Sequence, residues 1–292
     1  TAAAPTLLVY SRAIHPDPVR YSFTRLDVNG RAADASFGVG GTVSFATSLG
    51  DRPQDYRESP DGGLYWAVAG EQSQGSHPEA FAVVTKLTPS GAVDVGFGSG
   101  GQRVIIGPNG ENAGVGLRVD VVGASVVVTG VGHSPSPIAH PVRAVAAKLT
   151  SSGALDVSFG VNGVRSVPSV RGPVCSYADS SGIVFLTYES WLPSDLAVLR
   201  FTADGQVDER VGPGGRVMLR IPIVNGFTFY DIVAVGDDVV FTFPALSMPA
   251  VGQLAEPVVA LARVSLWGVD EIGTAARATR TAVRLGLTPA SG

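Results

Sequence analysis

Residues 148–163 read KLTSSGALDVSFGVNG, and residues 86–101 read KLTPSGAVDVGFGSGG. Both run from a strand end through a Gly turn, an Asp and a Phe-Gly pair into a second Gly turn. Looser copies stand elsewhere. Taking one glycine per copy, RLDVNG, KLTPSG, KLTSSG, RFTADG and RVSLWG end at Gly30, Gly91, Gly153, Gly205 and Gly268. The intervals are 61, 62, 52 and 63 residues. The 29 residues before the first glycine and the 24 after the last make roughly one further interval, which is how a closed ring reads when it is cut inside a unit.

Every unit has the same internal order. A short apolar strand ends at the shared turn, as in FAVVTKL, AVAAKL and LAVLRF, and another strand follows it, as in QRVII, VRSV and RVMLRI. Two more strands joined by a Gly/Asp turn complete the unit, as in LRVDVVGASVVVTG and YDIVAVGDDVVFTF. β-Branched and aromatic residues fill the runs, with Gly, Asp, Asn and Pro at the breaks, and no stretch has helical periodicity. Four strands per unit predict an all-β fold, a five-bladed β-propeller of four-stranded antiparallel blades. It is read as one domain over 1–292, with units at about 1–50, 51–110, 111–170, 171–222 and 223–292. The first unit supplies three strands (about 6–12, 19–26 and 42–46) and no innermost one. That blade is short, or the tail after Leu287 completes it, or residues upstream of this chain do.

The pattern L-x-x-x-G-x-x-D-x-x-F-G-x-x-G with a sixty-residue period resembles the delta-60 repeat family, bacterial tandem repeats read as propeller-like. The resemblance covers nearly the whole chain. Copies two and three match best, and copy one has an extra residue between Gly30 and Asp34. Copy four keeps Asp208 but has Val211 in place of the aromatic, and copy five, SLWGVDEIG, is degenerate. The resemblance implies an exported or cell-surface bacterial protein. It implies no particular reaction or ligand, and it carries over no catalytic residue.

Composition narrows the classes further. A mean hydropathy of +0.26 with 16% charged residues describes a chain that buries much of itself. Net charge −4 and a pI near 5.5 argue against nucleic acid as partner. The longest uncharged run, Val121 to Val142, contains three prolines and fails as a membrane span. Cys175 is the only cysteine, so no internal disulfide forms, and it reads as a small buried apolar side chain. The opening TAAAPTLL reads like a mature terminus left after cleavage at a small-residue site, which points to export.

Residues shared between copies are read as scaffold. Asp34, Asp94, Asp156 and Asp208 accept backbone N–H groups in their turns, and Phe37, Phe97 and Phe159 plug the seams between blades. Arg25, Lys86, Lys148, Arg200 and Arg263 are expected to lay their stems on a blade flank and leave their charges in water.

Function is expected where the copies differ. The variable loops between the second and third strands of each unit hold all four histidines, of which only His133 and His140 share a loop and could converge on a metal. Trp191 beside Glu189 in ESWLPSD suits sugar stacking or protein contact, or else tucks over a blade edge. Innermost strands carry Asp55 and Arg57, Arg118 and Asp120, and Asp231; Arg57 and Arg118 superpose when the units are aligned on their turns, with Asp231 near the same level. These charges neutralise one another around a wet channel, or the arginines clamp an anionic ligand with Asp231. In a third reading Asp55, Asp120 or Asp231 serves a carbohydrate-active hydrolase or lyase. Arginine beside Asp55 and Asp120 is expected to keep them ionised rather than raise their pKa. No nucleophile elbow, zincin motif, P-loop or cysteine pair occurs, and no cofactor is implied. The expected role is a non-enzymatic binding module for a glycan, polymer or protein, with a purely structural surface repeat as a further alternative.

Overall fold

The computed structural model describes residues 7–13, 19–27, 32–47, 54–69, 81–107, 112–113, 117–133, 142–169, 173–188, 195–220, 231–235, 238–246, 257–265 and 279–282. They form twenty strands in five antiparallel sheets. The first sheet holds β1 (Leu7–Ala13), β2 (Val19–Leu26) and β3 (Thr42–Thr47). The second holds β4 (Asp55–Glu58), β5 (Leu64–Ala69), β6 (Ala82–Leu87) and β7 (Gln102–Ile105). In the third, β9 (Arg118–Val122), β10 (Ser125–His133), β11 (Val142–Leu149) and β12 (Val164–Ser169) run in order, and the two-residue β8 (Asn112–Ala113) also pairs with β10. The fourth comprises β13 (Pro173–Asp179), β14 (Gly182–Tyr188), β15 (Asp195–Phe201) and β16 (Arg216–Arg220). The fifth comprises β17 (Asp231–Val235), β18 (Asp238–Leu246), β19 (Pro257–Ser265) and β20 (Thr279–Ala282). Among the described residues the only helical element is one 3-10 turn, Pro213–Gly215.

Each sheet is a meander, and the sheets stand side by side. β4 packs against β9, β9 against β13 and β13 against β17, so these four first strands are neighbours. The first sheet has no counterpart to them among the described residues, as its sequence leads one to expect. The architecture is all-β and propeller-like.

Contact on both faces explains the uninterrupted apolar runs. Every residue of LYWAVA in β5 and of AVVTKL in β6 is buried, because each face of a sheet meets a neighbour rather than water. Phe37 of the first unit packs with Leu64, Trp66 and Leu87 of the second sheet. Phe97 shares a cluster with Leu117, Val126 and Val128 of the third. Phe159 shares one with Ile183, Phe185 and Phe201 of the fourth. In unit four Val211 is buried at the aromatic's position, and its N–H still bonds to the Asp208 carbonyl at 3.2 Å.

In units one to four the recurring polar residues form one device each. Oδ1 of Asp34, Asp94 and Asp156 accepts the N–H two residues on, at 3.0–3.1 Å, closing the turn. Each Asp also pairs with the cation that ends the preceding strand: Arg25–Asp34 at 2.9 Å, Lys86–Asp94 at 2.9 Å, Lys148–Asp156 at 3.3 Å and Arg200–Asp208 at 3.4 Å. Three of these cations therefore do not leave their charges in water, whereas Lys148 is half-buried and the Arg263 side chain lies outside the described residues. Arg25, Lys86 and Arg200 are buried, because the Asp turn folds back over the strand end and supplies a counter-charge there.

The same turn joins neighbouring units. Gly38 N–H donates to the Ser90 carbonyl at 2.8 Å, Gly98 to Ser152 at 2.8 Å and Gly160 to Asp204 at 2.9 Å. The acceptors immediately precede Gly91, Gly153 and Gly205, which all have φ near +80°. A Cβ on Gly153 would stand 2.6 Å from the Gly98 nitrogen, and one on Gly205 would stand 2.9 Å from the Gly160 nitrogen. The motif glycine is thus required both by its own backbone and by its neighbour's approach.

Gly153→Ala should lower stability by about 3 kcal/mol or more, since it adds a seam clash to a strained φ. Gly100→Ala shares the positive φ but meets nothing within 4 Å, and should cost about 1 kcal/mol. Urea unfolding of both variants checks the contrast, and equal losses would mean that the seam contact contributes nothing.

Candidate functional site

Asp55 and Arg57 on β4 are two residues apart and share a face of their strand, as do Arg118 and Asp120 on β9. Ladder register fixes their levels. Arg57 lies opposite Tyr65, which lies opposite Lys86; Asp120 lies opposite Val127, which lies opposite Lys148. Counted from the recurring lysines, Arg57 is therefore level with Asp120, and Asp55 with Arg118. Alignment on the turns, which matches the two arginines, is two residues out of register. The cause is the β4–β5 turn, residues 59–63, which is longer than the Gly123–Ala124 turn of β9–β10. A two-residue slip keeps the face and inverts the charges.

Neighbouring strands thus present opposite charges at matching heights. Arg57 Nη1 bonds to Asp55 Oδ1 at 3.1 Å, Arg57 Nε lies 3.8 Å from Asp120 Oδ1, and Arg118 Nε lies 3.8 Å from Asp55 Oδ2. Each carboxylate also serves the next strand's backbone. Asp55 Oδ2 accepts Val119 N–H at 2.8 Å, and Asp120 Oδ2 accepts Ala178 N–H at 3.0 Å. Gln54 Oε1 accepts Leu117 N–H at 3.1 Å. These N–H groups lie on or beside the edge of β9 or β13 turned away from its own sheet, where no further strand satisfies them. Asp55 and Asp120 are edge caps as well as ion-pair partners.

Burial shifts one of them. Asp120 is 6% exposed, and desolvation pushes its carboxyl up to about 6. Arg57, Arg118 and the Ala178 N–H pull the other way, and Asp55 adds to the rise. The expectation that adjacent arginines hold this carboxylate low fails, because the Arg57 guanidinium reaches it across the seam only at 3.8 Å while burial is nearly complete.

Asp231 begins β17 opposite Thr242, level with Asp55 and Arg118 by the same count. His133 ends β10 opposite Val142, and His140 lies outside the described residues. So do Trp191 and Glu189, in the segment 189–194 between β14 and β15. Among the described residues no three His, Cys, Asp or Glu side chains gather as metal ligands. Cys175 is buried on β13, and no described helix is long and apolar enough to cross a membrane.

No protein-family model matches the chain, and no curated protein sequence does. Among solved structures it is similar to Drosophila Semaphorin 2a, at 12% identity and TM-score 0.46 over 75% of this chain and 37% of that one. It is also similar to the subtype N11 neuraminidase-like protein of A/flat-faced bat/Peru/033/2010, at 11% identity and TM-score 0.48 over 90% and 69%. A third likeness is to Synechocystis apocarotenoid oxygenase, at 8% identity and TM-score 0.45 over 96% and 58%. The chain thus spans little more than a third of the semaphorin it matches. Proteins this varied, at such identities, give no function; the all-β assignment stands on the strand ladders.

Because the folded pKa of Asp120 is raised above its ordinary value, the native state holds the proton that the unfolded chain has already lost between about pH 4 and 6. Its contribution therefore falls as pH rises through that window, by about 3 kcal/mol in all. Asp120→Asn keeps an acceptor for Ala178 and removes the titration. The stability difference between wild type and variant, from urea unfolding at pH 4 and pH 7, should change by that amount in favour of the variant at pH 7; parallel profiles would refute the assignment.

Proposed function

We propose that this chain is an exported bacterial propeller of the delta-60 repeat type, five blades closed around a channel, that binds a glycan, polymer or protein without catalysis. One observation carries the reading. The recurring Asp, basic, Phe and Gly residues are spent on turns and seams, and Asp55 and Asp120 are spent on the next strand's edge. What is left over is the set of connections 14–18, 70–80, 134–141, 189–194 and 247–256, each joining the second and third strands of its unit. Seam bonds join the turns at the other end of the third strands in units one to four, which supports a common exit for these connections. Trp191 and Glu189 are the contacts assigned to the ligand, with Arg57, Arg118 and Asp231 toward the channel. Arg57 and Arg118 already pair with Asp55 and Asp120, so the main grip is assigned to the loops.

A carbohydrate-active hydrolase or lyase using Asp55, Asp120 or Asp231 is the second reading. It is favoured by the Asp120 carboxyl lying near 6, a value suited to general-acid work. Its weakness is access, since Asp120 is buried and already holds a backbone N–H.

A glycan array probed with wild type and Trp191→Ala should give signals on polysaccharide or oligosaccharide spots that the variant loses by about tenfold or more. Release of reducing ends from the same sugars, abolished by Asp120→Asn, would favour the hydrolase. Silence against all sugars would leave a protein partner or a purely structural repeat.

A further inference from the structure

A concave feature lies at the turn end of the sheets, away from the connections assigned to ligand binding. It is a cavity of about 220 Å³ in the seam between the third and fourth sheets. Val127, Lys148 and Phe159 line it from one side, and Asp179, Ser180 and Ile183 from the other.

The repeat explains why it opens here. In the second sheet the position level with Val127 is Tyr65, and its ring fills the equivalent seam, 5.5 Å from Phe97 and 5.6 Å from Lys86 Nζ. Lys86 is held on two sides, by Asp61 and Asp94, each at 2.9 Å. At the third seam Val127 removes the phenol, and the Gly123–Ala124 turn has no acid corresponding to Asp61. Among the described residues Lys148 keeps longer contacts, to Asp156 Oδ2 at 3.3 Å and to the Ala203 carbonyl at 3.4 Å, with the Asp204 carboxylate close enough to feel its charge. Across the cavity, Asp179 Oδ1 accepts Ser181 N–H at 2.7 Å and Ser181 Oγ at 2.6 Å. Its Oδ2 makes no hydrogen bond or ion pair among the described residues. Lys148 and Asp179 line one space without being within ion-pair distance of each other.

We propose that this cavity binds a small aliphatic α-amino acid, its carboxylate on Lys148 Nζ, its ammonium on Asp179 Oδ2 and its side chain on Val127, Phe159 and Ile183. A simple anion would leave Asp179 facing it, and a simple cation would leave Lys148 facing it. A zwitterion satisfies both and adds no net charge to the seam. The apolar floor selects a hydrocarbon side chain, and the volume lies below the range of drug-sized sites.

Isothermal titration with L-valine and L-leucine tests this on the full chain, with isovalerate and isoamylamine as single-charge controls. Valine or leucine should bind, and each control should bind about tenfold or more weakly. Asp179→Asn and Lys148→Met should each weaken binding by about tenfold or more. Val127→Tyr installs the residue that the second sheet carries at this level; it should abolish binding while the unfolding midpoint stays within the wild-type range, so loss of binding is separable from loss of fold. Isovalerate binding as tightly as leucine, retained binding in Val127→Tyr, or no heat from either amino acid at tens of millimolar would each overturn the proposal.

Discussion

A single turn, built around one aspartate, governs the structure. The carboxylate closes its own loop through the N–H two residues on and takes the cation that ends the preceding strand. That fixes the glycine that follows the Phe plug, and its N–H then reaches the next unit. The partner turn tolerates this approach only because it presents a glycine with φ near +80° and no side chain. Ion pair, cap and seam bond are consequently one interaction. Losing Gly91, Gly153 or Gly205 disturbs two sheets at once, which is why the pattern recurs with so little variation in its best copies.

The inner edges pose a second problem, and polar side chains solve it. A strand with no neighbour on one side leaves N–H groups without partners. On β9 and β13 those groups bond to Gln54, Asp55 and Asp120 from the strand before. Inverted Asp/Arg order on β4 and β9 then lets each cap keep an arginine near it. The cost is desolvation, visible in the raised pKa of Asp120. Carboxylates used in this way are poor candidates for chemistry on a soluble substrate.

Much of the fold was legible because a repeat displays its own constraints. Strand order, the Asp turn, the Phe plug and the three strands described for the first sheet all follow from comparing copies. Charge placement was less legible. The basic residues read as solvated because sequence shows a cation after an apolar run, whereas the Asp that meets it lies eight or nine residues on and returns only through the turn. The match of Arg57 with Arg118 failed for a similar reason: turn length, not turn position, sets the ladder. The raised carboxyl of Asp120 depends on burial, which no residue pair displays. The seam cavity did leave a trace, a valine in the third unit level with a tyrosine in the second, but reading it required the register.

Native-state hydrogen exchange at Gly38, Gly98 and Gly160 measures the central interaction most directly. Gly38 and Gly98 sit in exposed turns, where an amide bonded only to water exchanges quickly. If their N–H groups hold adjacent units together, all three should exchange only with global unfolding, far more slowly than Gly40 and Gly100 in the same turns. Exchange at the rate of those neighbouring glycines would contradict the account.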